Sequence, residues 1–187
     1  RNAISQAKQY IFIEDQYFRA PLLNAVIYDQ MVAEPDLLLI VVTMSVDEYD
    51  PALKYTYLSH EIFQADFPDR YLLLQLRNDA LILRDNLFFD EVDYYNEPLY
   101  LHSKLRMIDD RYLSVGSCNM NNRGYKYEGE MNISILDAAF VQSVRSDILT
   151  DMVGEYSGYL SDDAENNFEV LRLVSEENEV MADWWFD

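Results

Sequence analysis

Cysteine occurs once in this chain of 187 residues, at Cys118. A single thiol excludes an intramolecular disulfide framework and a cysteine-built zinc site. Histidine is almost as scarce. His60 and His102 are the only two, so chemistry that needs an imidazole near neutral pH must use one of them. Positive charge is also short: 14 Lys and Arg stand against 34 Asp and Glu, a formal net charge of −20. That balance repels polyanions and argues against non-specific nucleic-acid binding. Long apolar runs are missing too; the longest covers residues 37–42, whereas a membrane-spanning helix needs about 20. The first eight residues, Arg-Asn-Ala-Ile-Ser-Gln-Ala-Lys, lack the apolar core of a secretory signal, and the absence of an initiator Met points to a fragment or a processed chain. What is present is core material. Half the residues are hydrophobic and 14% are aromatic, which argues for a folded chain despite the charge. At this length one domain buries enough surface to hold itself together without a metal or disulfide staple.

The hydrophobic pattern sets out the elements. Tyr10-Ile11-Phe12-Ile13 reads as a buried strand whose end, Glu14-Asp15-Gln16, faces a crevice. Residues 21–34 carry Leu22, Leu23, Val26, Ile27 and Met31 at helical spacing, with Pro21 in the first turn. Residues 37–43 are a nearly continuous apolar strand of the kind covered on both faces, completing a β-α-β unit. A second helix is expected over residues 51–65, through Leu53, Tyr57, Leu58, Ile62 and Phe63. Short strands then follow at 71–76, 80–84, 100–108, 112–115 and 132–136. They are parted by turn signals at Asn78-Asp79, Asn86, Asn96-Glu97-Pro98 and Asp109-Asp110. Residues 138–156 form an amphipathic helix, with Phe140, Val141, Val144, Ile148, Leu149 and Met152 available to cover one sheet face. Residues 155–187 hold ten acidic residues against Arg172 alone, an acidic and partly helical tail. The expected fold is α/β, a mixed and mainly β sheet flanked by helices on both faces, with residues 1–154 as one unit and 155–187 as the tail.

The chemistry concentrates between residues 99 and 137. His102 and Lys104, two apart on an expected strand, project from one face about 6 to 7 Å apart. An imidazole beside an ammonium makes a phosphate pocket, with His102 as nucleophile or proton donor and Lys104 holding a non-bridging oxygen. Asp109 and Asp110 then turn the chain into Tyr112-Leu113-Ser114-Val115. In the following Gly116-Ser117-Cys118-Asn119 segment, Gly116 frees the backbone and Ser117 and Asn119 offer hydrogen bonds to an anion. Glu130 is placed to accept from the far ring nitrogen of His102 and fix its tautomer.

These residues, His102-x-Lys104-x4-Asp109, then Gly116-Ser117-x-Asn119, then Glu130, resemble the HxKx4D(x6)GSxN signature of the phospholipase D superfamily. Ile11-Phe12-Ile13-Glu14-Asp15-Gln16-Tyr17-Phe18 is similar to the I-Y-I-E-N-Q-Y-F segment that opens the second half of two-motif phospholipases D. Asp15 replaces the usual Asn, and Arg123-Gly124 replaces the common Arg-Ser. The similarity covers most of residues 4 to 154. It implies an α/β/α half-domain, with residues 1–154 as its catalytic C-terminal half. It implies a site with His102, Lys104, Asp109 and Glu130 as catalytic residues and Gln16, Ser117, Asn119 and Arg123 toward substrate. It also implies a second motif, supplied by an upstream half or by a second copy in a homodimer, because His60-Glu61-Ile62 lacks the lysine. His102 is then the general acid and base opposite a nucleophilic histidine, or serves both roles in a homodimer.

The expected reaction is phospholipase D hydrolysis of a glycerophospholipid headgroup ester to phosphatidic acid and alcohol, without metal or other cofactor. A phosphatidyltransferase of the cardiolipin or phosphatidylserine synthase kind is the alternative, with a nuclease or a non-catalytic half weaker. Zwitterionic lipids suit the charge better than nucleic acid, with Lys104, Arg106, Arg123 and Lys126 supplying a local positive pocket. Location is left open between soluble, peripheral to a membrane, and a delivered bacterial effector. Several residues carry plainer readings. Asp109 either touches phosphate or, as the favoured reading, ties strand ends. Cys118 packs as a small side chain, and His60 lies on a helix surface. Phe88-Phe89, Tyr94-Tyr95, Tyr125 and Tyr127 belong to a lipid-facing rim, the core or a contact with the other half. Trp184-Trp185-Phe186 dock on protein, since the surrounding acid disfavours an anionic bilayer.

Overall fold

The computed structural model describes residues 1–44, 54–85 and 90–186, with the side chains of 78–85, 90–98 and 179–186 outside that description. Leu53, the Asn86 turn, Phe88 and Phe89, and the side chains of Tyr94, Tyr95, Trp184, Trp185 and Phe186 therefore lie outside the described residues.

Six strands form one mixed sheet. β1 (Tyr10–Asp15), β2 (Leu38–Val42) and β3 (Tyr71–Leu74) are parallel, whereas β6 (Lys104–Ile108), β7 (Tyr112–Gly116) and β8 (Asn132–Ile135) extend it antiparallel from β1. The order is β3-β2-β1-β6-β7-β8. β4 (Arg77–Asp85) and β5 (Asp90–Pro98) pair with each other in a separate two-stranded ladder. The expected mixed sheet with antiparallel parts is therefore observed. β5 carried no strand signal, because Asp90, Glu91, Asp93, Asn96 and Glu97 are poor strand formers; its pairing with β4 overrides them.

The two faces of the sheet hold two apolar clusters. On one face Ile11, Ile13, Leu39 and Val41 pack with Ile27 and Met31 of α1 (Pro21–Ala33) and Phe63 of α2 (Lys54–Asp66). On the other, Tyr10, Phe12, Ile40 and Met107 pack with Val141, Leu149 and Val153 of α4 (Ala138–Val153). Alternation along β1 produces this division, since successive side chains of a strand point to opposite faces. Phe168 and Leu171 of α5 (Ala164–Phe186) are buried in the second cluster, so the first half of the acidic segment is packed against the sheet. α4 begins where the Asp137 carboxylate accepts from Phe140 N–H and ends at Gly154, whose φ of 53° stops the helix. Among the described residues no helix is long and apolar enough to cross a membrane.

Candidate active site

Asp109 apart, the motif residues gather at the end of the sheet where β1 ends and β6 begins. The β1–β6 ladder closes on the pair Asp15 and Lys104, so β6 begins at Lys104 and His102 lies just ahead of it. This corrects the expectation that both residues project from one strand face. His102 is exposed and its ring stacks on Tyr100, 6.0 Å between centroids, while Lys104 is buried. Beyond the end of β1 the His102 carbonyl has no ladder partner on that strand, and the Lys104 ammonium donates to it at 2.6 Å. Gln16 Nε2 donates to the Tyr100 hydroxyl at 3.1 Å, so Gln16, Tyr100 and His102 form a connected row. Ser103 donates to the Glu14 carboxylate.

The loop after β7 is held by close backbone approach. A Cβ at position 116 would lie 2.2 Å from the Met131 carbonyl oxygen, which only glycine avoids. Ser117 N–H donates to that carbonyl at 3.0 Å, and the Ser117 hydroxyl donates to Glu130 at 2.5 Å. Glu130 thus takes its hydrogen bond from Ser117 rather than from His102. The reason is register: Gly116 pairs with Asn132, which sets the two residues ahead of β8, Glu130 and Met131, against Ser117. Among the described residues the His102 ring makes no hydrogen bond.

Asn119 sits between Cys118 and Met120 with its side-chain oxygen buried and unpartnered among the described residues. Asn121 caps α3 (Asn122–Lys126) by accepting from Gly124 N–H at 2.8 Å. At position 124 a Cβ would lie 2.7 Å from the Asn119 carbonyl oxygen, so the serine usual after this arginine does not fit here. Arg123 is largely exposed and pairs with Glu128 at 2.6 Å. Cys118 is buried, and burial raises its thiol pKa, so it packs rather than reacts. His60 is half-buried on α2 against Tyr71, and burial lowers its pKa. Asp109 occupies the opposite end of β6 from Lys104. Its carboxylate accepts from the amides of Lys8, Gln9 and Tyr10 at 2.7 to 2.9 Å, fastening the chain that leads into β1.

Sequence reasoning missed two features. One is Tyr100, whose signal was an aromatic residue two positions before the histidine. The other is a buried ion pair, Asp15 with Arg106 at 2.8 Å, whose signal was an arginine on the same strand face as Lys104. Of the four cations expected to make a positive pocket, Arg106 and Arg123 are therefore neutralised by neighbouring acids. A cavity of about 390 Å³ adjoins the site, lined by Arg106, Cys118, Tyr125 and Glu130 together with Ile11 and Ile13. Among the described residues no group of three or more metal-ligating side chains is found.

Residues 61–152, which hold His102 through Glu130, match the family described as cardiolipin synthase, PLD-like domain. A stretch of 59 residues is 37% identical to cardiolipin synthase 2 of Staphylococcus epidermidis, covering 32% of this chain and 12% of that protein. The fold is similar to NucT from Helicobacter pylori, with TM-score 0.53 at 15% identity over 81% of this chain and 82% of the other. It is also similar to Nuc from Salmonella typhimurium, a phospholipase D family member, with TM-score 0.50 at 17% identity and the same coverage. Residues 61–152 are thus similar to a PLD-like domain, and the fold as a whole is similar to that of a phospholipase D family structure. It spans a small part of the curated relative it matches, so that protein's full activity does not transfer by similarity alone.

Proposed function

We propose that this chain is one half of a phosphatidyl-transfer site that moves a phosphatidyl group from a glycerophospholipid to an alcohol. The observation that carries the reading is the cluster of an exposed imidazole, a buried ammonium and a Ser117–Glu130 pair at the end of the sheet. Transfer is preferred to the hydrolysis expected from sequence because the matching family model and the curated relative are cardiolipin synthases. Water and alcohol are interchangeable acceptors in this chemistry, so the residues are the same.

One histidine cannot serve at once as nucleophile and as general acid, which calls for a partner half or a second copy. A ring nitrogen of one histidine bonds to phosphorus as the bond to the leaving alkoxide breaks, and the other imidazolium gives that alkoxide its proton. The second imidazole then takes the proton of the acceptor alcohol, whose oxygen attacks phosphorus and releases the first histidine. Lys104 offsets the charge on the phosphate oxygens in both steps. A net charge of −20 favours a zwitterionic donor lipid over a nucleic acid.

The test is phosphatidylethanolamine vesicles with glycerol or ethanol as acceptor, for the wild-type chain and His102→Ala, each with and without an added second half. Phosphatidyl-alcohol that disappears in the variant is the expected result. Phosphatidic acid alone, even at high alcohol, replaces transfer by hydrolysis. No product under any of these conditions overturns the reading.

A further inference from the structure

Asp15 is completely buried at the end of β1. Its Oδ2 accepts from Arg106 Nη2 at 2.8 Å and from Met120 N–H at 2.9 Å, and its Oδ1 accepts from Tyr17 N–H at 3.1 Å. The same Arg106 Nη2 donates to the Cys118 carbonyl at 3.0 Å. Carboxylate and guanidinium thus grip the backbone on both sides of Asn119, one through the residue before it and one through the residue after. The pair also bears on the lysine. Asp15 is the ladder partner of Lys104, and Lys104 and Arg106, two apart on β6, share a sheet face. Both cations are buried, 5% and 8% exposed, so each raises the cost of charging the other unless an acid stands beside them.

We propose that the Asp15–Arg106 ion pair is a positioning device for the phosphate site: it clamps the peptide around Asn119, and its carboxylate keeps Lys104 an ammonium beside Arg106. This deepens the phosphodiester reading and rests on it for the roles of Lys104 and Asn119. The charged groups acting on Lys104 are Asp15 from β1, Arg106 from its own strand and Glu130 from the segment before β8. Burial lowers the lysine's pKa, Asp15 and Glu130 oppose that, and Arg106 adds to it. Burial also pushes the Asp15 carboxyl up to about 6 against the pull of Arg106, so the carboxyl is ionised above that pH. Asp15 and Arg106 touch no substrate on this account; they act through Lys104 and Asn119.

The experiment follows the Lys104 side-chain resonance by NMR across pH in the full chain. Wild type is compared with Asp15→Asn and with the double variant Asp15→Asn, Arg106→Met, which leaves no unpaired buried charge. Removing the acid alone strips Lys104 of its support and leaves Arg106 repelling it, whereas removing both takes away opposing influences. The Lys104 midpoint is therefore expected to be highest in wild type, intermediate in the double variant and lowest in Asp15→Asn, the extremes differing by about tenfold in proton affinity. The Asn119 side-chain amide resonances move in both variants, and inorganic phosphate at pH 8 binds about tenfold more weakly to Asp15→Asn than to wild type. A pair that merely stabilises the fold lowers the melting temperature and leaves the Lys104 midpoint and the Asn119 resonances of the folded protein unmoved; that result overturns the proposal. If Asp15→Asn does not fold, the double variant against wild type decides it. A wild-type chain that binds no phosphate yet shows the ordered midpoints overturns the phosphodiester reading and upholds the clamp.

Discussion

The Asn119 carbonyl leaves no room for a side chain at position 124, because a Cβ there would approach it to 2.7 Å. Backbone sets this limit on one side, so the neighbour cannot turn away as a flexible side chain would. Gly124→Ser is predicted to destabilise the chain by about 1–3 kcal/mol, the usual scale of overpacking. Thermal unfolding reads the loss, and an unchanged melting temperature would mean that the loop shifts freely. The same scale explains what the sequence made legible in the site and what it hid. The spacing from His102 to Glu130 was readable because it is local: a short strand, an Asp-Asp turn, a second strand and a glycine. The pairing of Glu130 with Ser117 was not readable, because it depends on the register of β7 against β8, which pairs Gly116 with Asn132. Nor was the burial of Lys104, which follows from where β1 ends, about ninety residues earlier in the chain.

Arg145 shows how one helix is fixed to the rest. On α4 it is buried, and it donates to Asp110 at 2.8 Å and to the Ser161 carbonyl at 3.1 Å. Asp110 also accepts from the Tyr10 hydroxyl at 2.6 Å, so the β6–β7 turn, β1 and α4 meet at one carboxylate, and Arg145 ties the segment before α5 to it. Burial together with the hydrogen bond to Asp110 raises the Tyr10 pKa. Arg145→Met leaves Asp110 short of its cation and is predicted to cost about 3 kcal/mol, the scale for breaking a buried pair. Urea unfolding measures it, and hydrogen exchange should quicken first in α4, with no change in the Lys104 midpoint at the far end of β6. Elements of this kind were legible where pattern was strong. The β-α-β opening and α4 follow from apolar periodicity, and the mixed sheet from the change of pattern after residue 65. β5 was hidden because its residues resist strand structure and only β4 makes them extended. The length of α5 was hidden because acidic composition reads as tail, whereas Phe168 and Leu171 bind its first turns to the core.

Across the whole molecule the dominant quantity is the net charge of −20. Charge of one sign does not choose a fold, but it decides which surfaces the protein approaches. A neutral zwitterionic bilayer presents little long-range field to this chain. An anionic bilayer repels it over a Debye length, about 30 Å at 0.01 M salt and about 8 Å at 0.15 M. The four cations near the site do not reverse this, since Arg106 and Arg123 are each paired with an acid and Lys104 is buried, which leaves Lys126 as the exposed one of the four. Adsorption to phosphatidylethanolamine–phosphatidylcholine vesicles is therefore predicted to change little between 0.01 and 0.3 M NaCl. Adsorption to phosphatidylglycerol vesicles should begin weaker and rise severalfold over the same range as repulsion is screened. Cosedimentation at each salt concentration separates the cases. Binding to the anionic vesicles that weakens as salt is added would mean that a concentrated basic face outweighs the average charge, and would turn the choice of donor lipid toward anionic phospholipids.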